Sequence, residues 1–497
     1  MDQILIDSNM GLVKTGIKGV AWTTVSIVIR SVVSLFQITI LTRFLEKADF
    51  GIVAIATVFI GFTQIFLDLG ISVGIMHKQD TSPQEYSSLF WLNIFVGLLL
   101  AVVLAVISPL VAEYYNEPSL SVILSLLSLG ILFSSIGSQH RTVQQKLMRF
   151  KYISIVEIIT SLLTFGLTIY LAMHEFGIFT LVYSTLFNAF FSNFLFLVIG
   201  LYKDRNISFH FKFVETYPFL KIGIYKIGSS MLDYFSREID TIIISKVFGM
   251  EILGVYNLCK KIIMMLYSIV NQILVKVMSP IFATLQKDIN VMRKGLYDVT
   301  ESVALFNFLI YFLVAIFATG LLKLLYGSSF VDYGFLLSLL AIYYGYLECG
   351  SVSSCVQIAM GRTDVGLYWT IVRIALNTAA VLLGSFISIE VIVLFLFVFN
   401  LFISPVSWKI LVKPLVGGQF WEYFQIILKP LCYSILIALP FYLVFQQTVN
   451  IVLMICGGFL FAIVYSAMVW LLYRDSFFVK SLLAQTVSLF FRRKAIC

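Results

Sequence analysis

Nine ionisable side chains stand inside stretches that are otherwise apolar: the cations Arg30, Lys226, Arg237, Lys261 and Arg373, and the acids Asp68, Glu157, Asp233 and Asp240. A charge at mid-bilayer costs roughly 2.5–3.5 kcal/mol or more, so each must find a partner or face water. Their spacing is not random. At about 100° per residue, Thr23, Ser26, Arg30, Ser34 and Gln37 share one helix stripe. Gln64, Asp68 and Ser72 make a second stripe, and Glu157, Ser161, Thr164 and Thr168 a third. Lys226, Ser230, Asp233, Arg237 and Asp240 form the densest, with Glu238 alone off it. Asn257, Lys261, Ser268 and Asn271 follow, then Arg373 with Asn377. Guanidinium forks bind phosphate and carboxylate oxygens through paired donors, so surplus cations on polar stripes predict a wet cavity that accepts anions. The acids either carry a coupling ion, H+ or Na+, or hold the cations in place. A competing reading is plain helix pairing: Asp233, Arg237 and Asp240 at i, i+4 and i+7 neutralise one another on one helix. Glu157 and Lys261, near span ends, reach interfacial water. Arg30 and Arg373 have no opposite charge one turn away.

The elements that position these groups are membrane helices. Of 497 residues, 60% are hydrophobic and 12% charged, about half the charge of a soluble domain. Mean hydropathy is +0.98. That excludes a soluble enzyme, a nucleic-acid binder and a secreted disulfide scaffold. With roughly 20 apolar residues per crossing, hydropathy predicts fourteen helices, near 19–41, 51–75, 89–110, 119–138, 153–172, 178–200, 222–245, 253–280, 299–322, 333–357, 366–387, 390–411, 426–446 and 450–473. The fold class is an all-α polytopic membrane protein. A polar leader precedes the first span, which reads as retained rather than cleaved. The longest break runs from Leu201 to Lys221, too short for a catalytic loop. The tail from Arg474 mixes apolar residues with Lys480, Arg492, Arg493 and Lys494 and is expected to lie along the membrane surface.

The formal charge of +8 is scattered rather than patched. Lys14, Lys18, Lys78, Arg141, Lys146, Arg149, Lys151, Lys203, Arg205, Lys287, Arg293 and Arg362 fall in loops of one side, while Arg43, Lys47, Lys246 and Lys323 fall on the other. That asymmetry predicts both termini in the cytoplasm. Cys259, Cys349, Cys355, Cys432 and Cys456 lie in apolar segments without a CxxC pair and read as buried thiols. His77, His140, His174 and His210 stand singly in hydrophilic breaks. No metal site is expected, and no cofactor beyond a coupling ion. Walker, HExxH and nucleophile-elbow motifs are missing from the sequence, and the Asn206 sequon falls on the cytoplasmic side. Trp91, Trp408 and Trp421 read as belt anchors; Tyr114 and Tyr115, on the outer side, read as belt residues with a sugar-stacking alternative.

The chain also repeats. Residues 43–52, from Arg43 to Gly51 and Ile52, close one span and open the next, as residues 246–255 do, from Lys246 to Gly254 and Val255. On that alignment Arg30 answers Asp233, Gln37 answers Asp240, and Asp68 answers Asn271. A unit of six spans is even, so its copy keeps the same orientation about an axis along the membrane normal. The expected division is 1–205 and 206–415 as six-helix bundles with a cleft between them, 416–473 as two further helices, and 474–497 as a basic tail.

Several of these segments resemble a known family. Tyr234 through Asp240, then Gly249 and residues 253–257 (Leu253, Gly254, Val255, Tyr256, Asn257), resemble the central signature of Wzx-type polysaccharide-transporter flippases. Lys18 to Trp22, Arg43 to Leu45, Gly51, Asp68 to Ile71 and Met360 to Asp364 are similar to other parts of it. The family belongs with the multidrug antiporters of MATE type and the lipid II flippases, and the likeness extends to exporters of colanic-acid and related capsule repeats. It implies a V-shaped pair of bundles that opens to each side in turn. It also implies an undecaprenyl-diphosphate-linked oligosaccharide as cargo, in the bacterial cytoplasmic membrane, for lipopolysaccharide, O-antigen or capsule. Membrane lipids and the polysaccharide polymerase machinery are the implied partners, with no nucleic acid. Ser245 and Lys246 depart from the Gly-Arg pair of many relatives. Two rival readings stand beside it: a cation-coupled drug exporter of the same fold, disfavoured by the cation surplus, and a membrane glycan polymerase or ligase, disfavoured by the short outer loops.

Overall fold

The computed structural model describes residues 2–78, 80–203, 208–477 and 479–480. The expectations placed on Arg205, Asn206 and residues 481–497, including Arg492, Arg493 and Lys494, lie outside the described residues, as do the side chains of Lys14, Lys18, Lys203 and Lys226.

Long apolar runs without strand-forming alternation fold as helices, because only a helix satisfies its own backbone within lipid. The chain opens with α1 (Asp2–Leu41), α2 (Lys47–Asp68), the short α3 (Ile71–His77), α4 (Pro83–Tyr115), α5 (Ser119–Lys146), α6 (Phe150–Met173) and α7 (Phe179–Lys203). It continues through α8 (Phe213–Thr284), α9 (Ile289–Ile316), α10 (Ala318–Tyr326), a 3-10 turn at Ser328–Tyr333, α11 (Gly334–Cys349), α12 (Ser351–Met360) and α13 (Thr363–Ser385). The last elements are α14 (Ile389–Phe402), α15 (Ser404–Ser407), a π turn at Trp408–Val412, α16 (Lys413–Val416), α17 (Phe420–Phe445) and α18 (Ile451–Leu472). Ends are set by local chemistry: Ser82 and Glu85 form a reciprocal capping box at α4, and Asp288 and Asn450 cap α9 and α18.

Twelve described helices are long and apolar enough to cross a membrane, and α14 with the segment Ser404–Val416, bent by 51° beside Pro405, makes thirteen. One of these runs is too long for a single pass. Ile227–Thr284 has 58 residues, about 87 Å of helix against ~30 Å of hydrocarbon. It is broken at Gly249, whose φ of 80° is a conformation that favours glycine. The chain reverses there: the Tyr256 hydroxyl donates to Asp240 Oδ2 at 2.5 Å, although sixteen residues of straight helix would hold them about 24 Å apart. Counting that run as two passes gives the fourteen read from hydropathy. α5 runs on to Lys146, well beyond the expected end at 138, so Arg141 and His140 are helical and not loop residues. His140 is buried.

Packing divides the chain into two compact units, Met1–Asn257 and Leu258–Cys497. Within the first, the repeat read from sequence takes physical form. A Cβ on Gly51 would overlap the Met250 carbonyl and stand 3.0 Å from Gly254 N; one on Gly254 would overlap the Lys47 carbonyl and stand 3.0 Å from Gly51 N. Both pairs are offset alike (254 − 51 = 203 and 250 − 47 = 203), so equivalent positions of the two repeats meet reciprocally at glycines. In the second unit, α17 and α18 share the core of α9: Leu431, Phe461 and Met468 pack with Leu305 and Phe308, and the Tyr465 hydroxyl donates to the Leu305 carbonyl at 2.8 Å.

Candidate functional site

Arg30 lies near the middle of the span Ala21–Leu41, about 14 Å of helix from its nearer end. It has no counter-charge on α1, and its partner comes from α6. Arg30 Nη1 donates to Glu157 Oε2 at 2.7 Å, and Arg141 Nη2, from α5, donates to Oε1 at 2.7 Å. Ser26, one turn before Arg30, adds a weaker bond to Oε2 at 3.4 Å. One carboxylate is therefore shared between two guanidinium groups, a local charge of +1. The carboxylate is the sheltered member, its side chain 13% exposed against 46% for Arg30 and 45% for Arg141. Such half-exposed pairs contribute ~1 kcal/mol or less. Glu157 accordingly aims the two forks more than it stabilises the fold. Among the described residues one terminal nitrogen of each guanidinium engages Glu157, and the remaining donors are open to an anion. Sequence reading missed Arg141 because it ended the span too early. The available signal was Ser134, Ser138, Arg141 and Gln145, at helical spacing.

Gln37, on the same stripe of α1, donates to Thr168 Oγ1 at 2.9 Å, and Thr168 donates to Ser184 at 2.8 Å. With Asn188 donating to Thr164 at 3.2 Å, this chain stitches α1, α6 and α7. Asp68 sits at the break between α2 and α3, where Leu69 and Gly70 adopt positive φ, and accepts from Ser72 Oγ at 2.5 Å and Ser72 N at 3.3 Å. Gln64 is exposed one turn earlier. On α8, Arg237 is exposed and its Nε bonds the Asp233 carbonyl at 3.3 Å. Asp240 is buried and accepts from Thr241 N at 2.7 Å as well as from Tyr256. Lys261 is exposed and the adjacent Lys260 buried; Asn257 and Asn271 are half-buried. In the second unit Asn377 accepts from Asn400 Nδ2 at 3.1 Å, with Arg373 half-buried one turn before it. The structure thus brings together Arg30, Glu157 and Ser26 with Arg141, and gives Gln37, Asp68 and Asp240 bonds within the helix frame.

The thiols need a correction. Cys259, Cys349 and Cys355 are buried, but Cys432 and Cys456 are exposed on α17 and α18, on faces that the packing of α9 does not cover. Among the described residues no group of three or more His, Cys, Asp or Glu is placed to hold a metal. On Tyr114 the ring lies under Lys246 Nζ, 4.2 Å from its centroid.

The segment entering α8 is clamped to α4. Ser87 Oγ bonds the carbonyls of Ser208 and His210, and Trp91 Nε1 donates to Ser208 O at 3.0 Å while its ring stacks on Phe209. Ser88 Oγ donates to Glu215 Oε2 at 2.6 Å, and His210 Nε2 lies 2.9 Å from Oε1. Those bonds, the Ser88 bond foremost and then His210, hold the Glu215 carboxyl below the ordinary glutamate value of about 4.3. Because the folded value is the lower one, the clamp keeps its full contribution above the ordinary value. That contribution fades as pH falls toward the depressed one. Amide hydrogen exchange should therefore show residues 208–216 protected from neutral pH down to about the ordinary glutamate value and released below it. Ser88→Ala should move the release to higher pH; release at the same pH in both would refute this account.

Residues 40–334 match a family described as polysaccharide biosynthesis protein. The chain is 24% identical over 415 residues to the lipopolysaccharide biosynthesis protein WzxC of Escherichia coli, covering 83% of this chain and 84% of that protein. It is 27% identical over 426 residues to the teichuronic acid biosynthesis protein TuaB of Bacillus subtilis, covering 84% and 86%. Its fold is similar to that of the lipid II flippase MurJ in an inward closed conformation, with TM-score 0.68 at 14% identity over 91% of this chain and 98% of that one. The MATE transporter VcmN of Vibrio cholerae follows with TM-score 0.58 at 17% identity over 84% and 99%. An all-helical chain of many spans, with guanidinium groups exposed at mid-span and more than half its length matching one family, belongs to the polysaccharide biosynthesis family of membrane transporters and is not an enzyme.

Proposed function

We propose that the chain is a flippase that moves undecaprenyl-diphosphate-linked oligosaccharide repeat units from the cytoplasmic to the outer leaflet of the bacterial inner membrane. The observation that carries this reading is the Arg30–Glu157–Arg141 cluster, two half-exposed guanidinium groups at one carboxylate deep in a membrane span. A diphosphate and its sugars cannot cross hydrocarbon bare, since each unpaired polar group costs several kcal/mol. Open guanidinium donors replace water at the diphosphate while the prenyl tail stays in lipid. Arg237, Lys261, Arg373 and Lys226 are the further cations assigned to the headgroup and sugars. Alternating access between two like bundles, with both termini in the cytoplasm, delivers the cargo outward. The names of WzxC and TuaB support surface polysaccharide as the pathway.

Deleting the gene from its own host should stop surface polysaccharide and accumulate polyprenyl-diphosphate-linked repeat units, both reversed by the wild-type chain. A deletion strain with normal surface glycan and no accumulated intermediate would overturn the proposal. So would one whose only defect is dye efflux.

A further inference from the structure

The second unit contains an acid that no polar stripe of the sequence announces. Glu348 lies in the last turn of α11 and is 0% exposed. Its Oε2 accepts from the Tyr311 hydroxyl of α9 at 2.7 Å, and its Oε1 has no partner. Asn307, also on α9 and also 0% exposed, has no partner at either Oδ1 or Nδ2. The two helices run antiparallel, which fixes the level of these groups. Ser338 of α11 bonds the Ala315 carbonyl at 2.8 Å, a Cβ on Gly345 would stand 3.1 Å from Tyr311 Cβ, and Glu348 reaches Tyr311 itself. Numbers rise along α11 as they fall along α9, so Asn307, one turn before Tyr311, stands level with Glu348.

An ionised carboxylate with one hydrogen bond and no cation, in a core without water, would be an uncompensated buried charge costing several kcal/mol. No Lys, Arg or His pairs with Glu348 among the described residues. The titratable neighbours are neutral groups: Tyr311 from α9, Tyr267 from α8, Tyr346 and Cys349 from α11 itself, Tyr423 from α17 and Tyr465 from α18. α12 contributes no ionisable side chain except Cys355. A single proton resolves the arrangement: Oε1–H donates to Asn307 Oδ1 while Tyr311 keeps its bond to Oε2. A metal cation fits worse. Hard cations take about six or more oxygen ligands, only Glu348 Oε1 and Asn307 Oδ1 are open here, and the Asn307 amide hydrogens repel positive charge.

We propose that Glu348, with Asn307 and Tyr311, is a proton-carrying site, loaded in this closed arrangement and exchanged with water when the α9–α11 packing opens. The amide explains how both states are held. The neutral acid uses Asn307 Oδ1 as acceptor; after the proton leaves to water, the turned amide offers Nδ2–H to the carboxylate. The break at Gly350, directly after α11, is where the span Ser328–Met360 changes from one helix to the next. The coupling role rests on the transporter reading above; the protonation itself does not.

Infrared spectroscopy of the full chain in lipid nanodiscs reads the carbonyl band of a protonated acid without any substrate. Wild type should show a hydrogen-bonded carboxylic acid band at neutral pH that Glu348→Gln lacks. Asn307→Leu and Tyr311→Phe, which leave the carboxyl in place, should shift it, and they keep the test decisive if the glutamine variant does not fold. A spectrum unchanged in the folded Glu348→Gln variant, or unmoved by both neighbouring substitutions, would overturn the proposal. So would a band that sodium abolishes and choline does not. In cells, Glu348→Gln should lower glycan export at least tenfold and remove its sensitivity to a protonophore; wild-type export that still responds would overturn the coupling. Absence of export by the folded wild-type chain would reject the flippase reading and leave the infrared result standing.

Discussion

Arg30→Ala should cut surface-glycan export roughly ten- to a hundredfold, and Arg30→Ala with Arg141→Ala should abolish it, with the protein still folded in the membrane. The size follows from the bond that is lost. A hydrogen bond to a charged group contributes about 1.5–3 kcal/mol, and each ~1.4 kcal/mol is one decade. The charge balance makes the double change worse than two single ones. Two guanidinium groups and one carboxylate sum to +1; removing Arg30 leaves zero, and removing both leaves Glu157 alone at −1, facing a diphosphate of the same sign. The fold should tolerate this because both arginines are nearly half exposed and each pair contributes little to stability. Export is measured as surface glycan per cell, and folding as monodisperse protein and its thermal midpoint in detergent. Wild-type export by the folded double variant would remove the diphosphate route through this cluster. Lysine at position 30 is an informative intermediate, since it restores the charge without the planar fork.

The sequence made half of this cluster visible. Arg30 and Glu157 fall on polar stripes that only a helix would create, and mid-span charge marks a functional position. Pairing between α1 and α6 is a tertiary fact that periodicity cannot supply, which is why Arg30 read as lacking a counter-charge. Arg141 was hidden by a different limit. Hydropathy finds the part of a helix that sits in lipid and says little about helix that continues beyond it, and α5 continues to Lys146. Glu348 escaped because it stands alone among tyrosines and small residues, with no polar stripe on its own helix; its partners Asn307 and Tyr311 belong to α9. Conversely, the number of passes and the two-fold repeat were legible, because both are written in local composition and spacing. The Gly51–Gly254 contact gives the repeat its reason: only glycine at both positions lets the Lys47 and Met250 carbonyls approach so closely.

The segments that carry the family likeness also hold the largest expected effect on stability. Asp240 ends one of them, Tyr256 lies in the other, and Gly249 turns the chain between them. Their hydrogen bond joins the two segments across a membrane hairpin, with Asp240 7% and Tyr256 1% exposed. Asp240→Leu would leave the Tyr256 hydroxyl buried without this acceptor, at about 1–3 kcal/mol. It would also strip Thr241 N of its 2.7 Å bond to the carboxylate. The sum, roughly 2–5 kcal/mol on these magnitudes, is a large part of a domain's ~5–15 kcal/mol. Asp240→Leu should therefore be scarce in membranes and unfold at lower temperature. Asp240→Asn keeps an acceptor for Tyr256 and should fold like wild type. Export then separates the two roles assigned to this acid. If the carboxylate serves to tie the hairpin, the asparagine variant exports within about twofold of wild type, a difference below ~0.5 kcal/mol. A folded Asp240→Asn protein whose export falls more than tenfold would place the charge itself in the transport cycle. The tie would then be its secondary task, and the proton assigned to Glu348 would need a second station on α8.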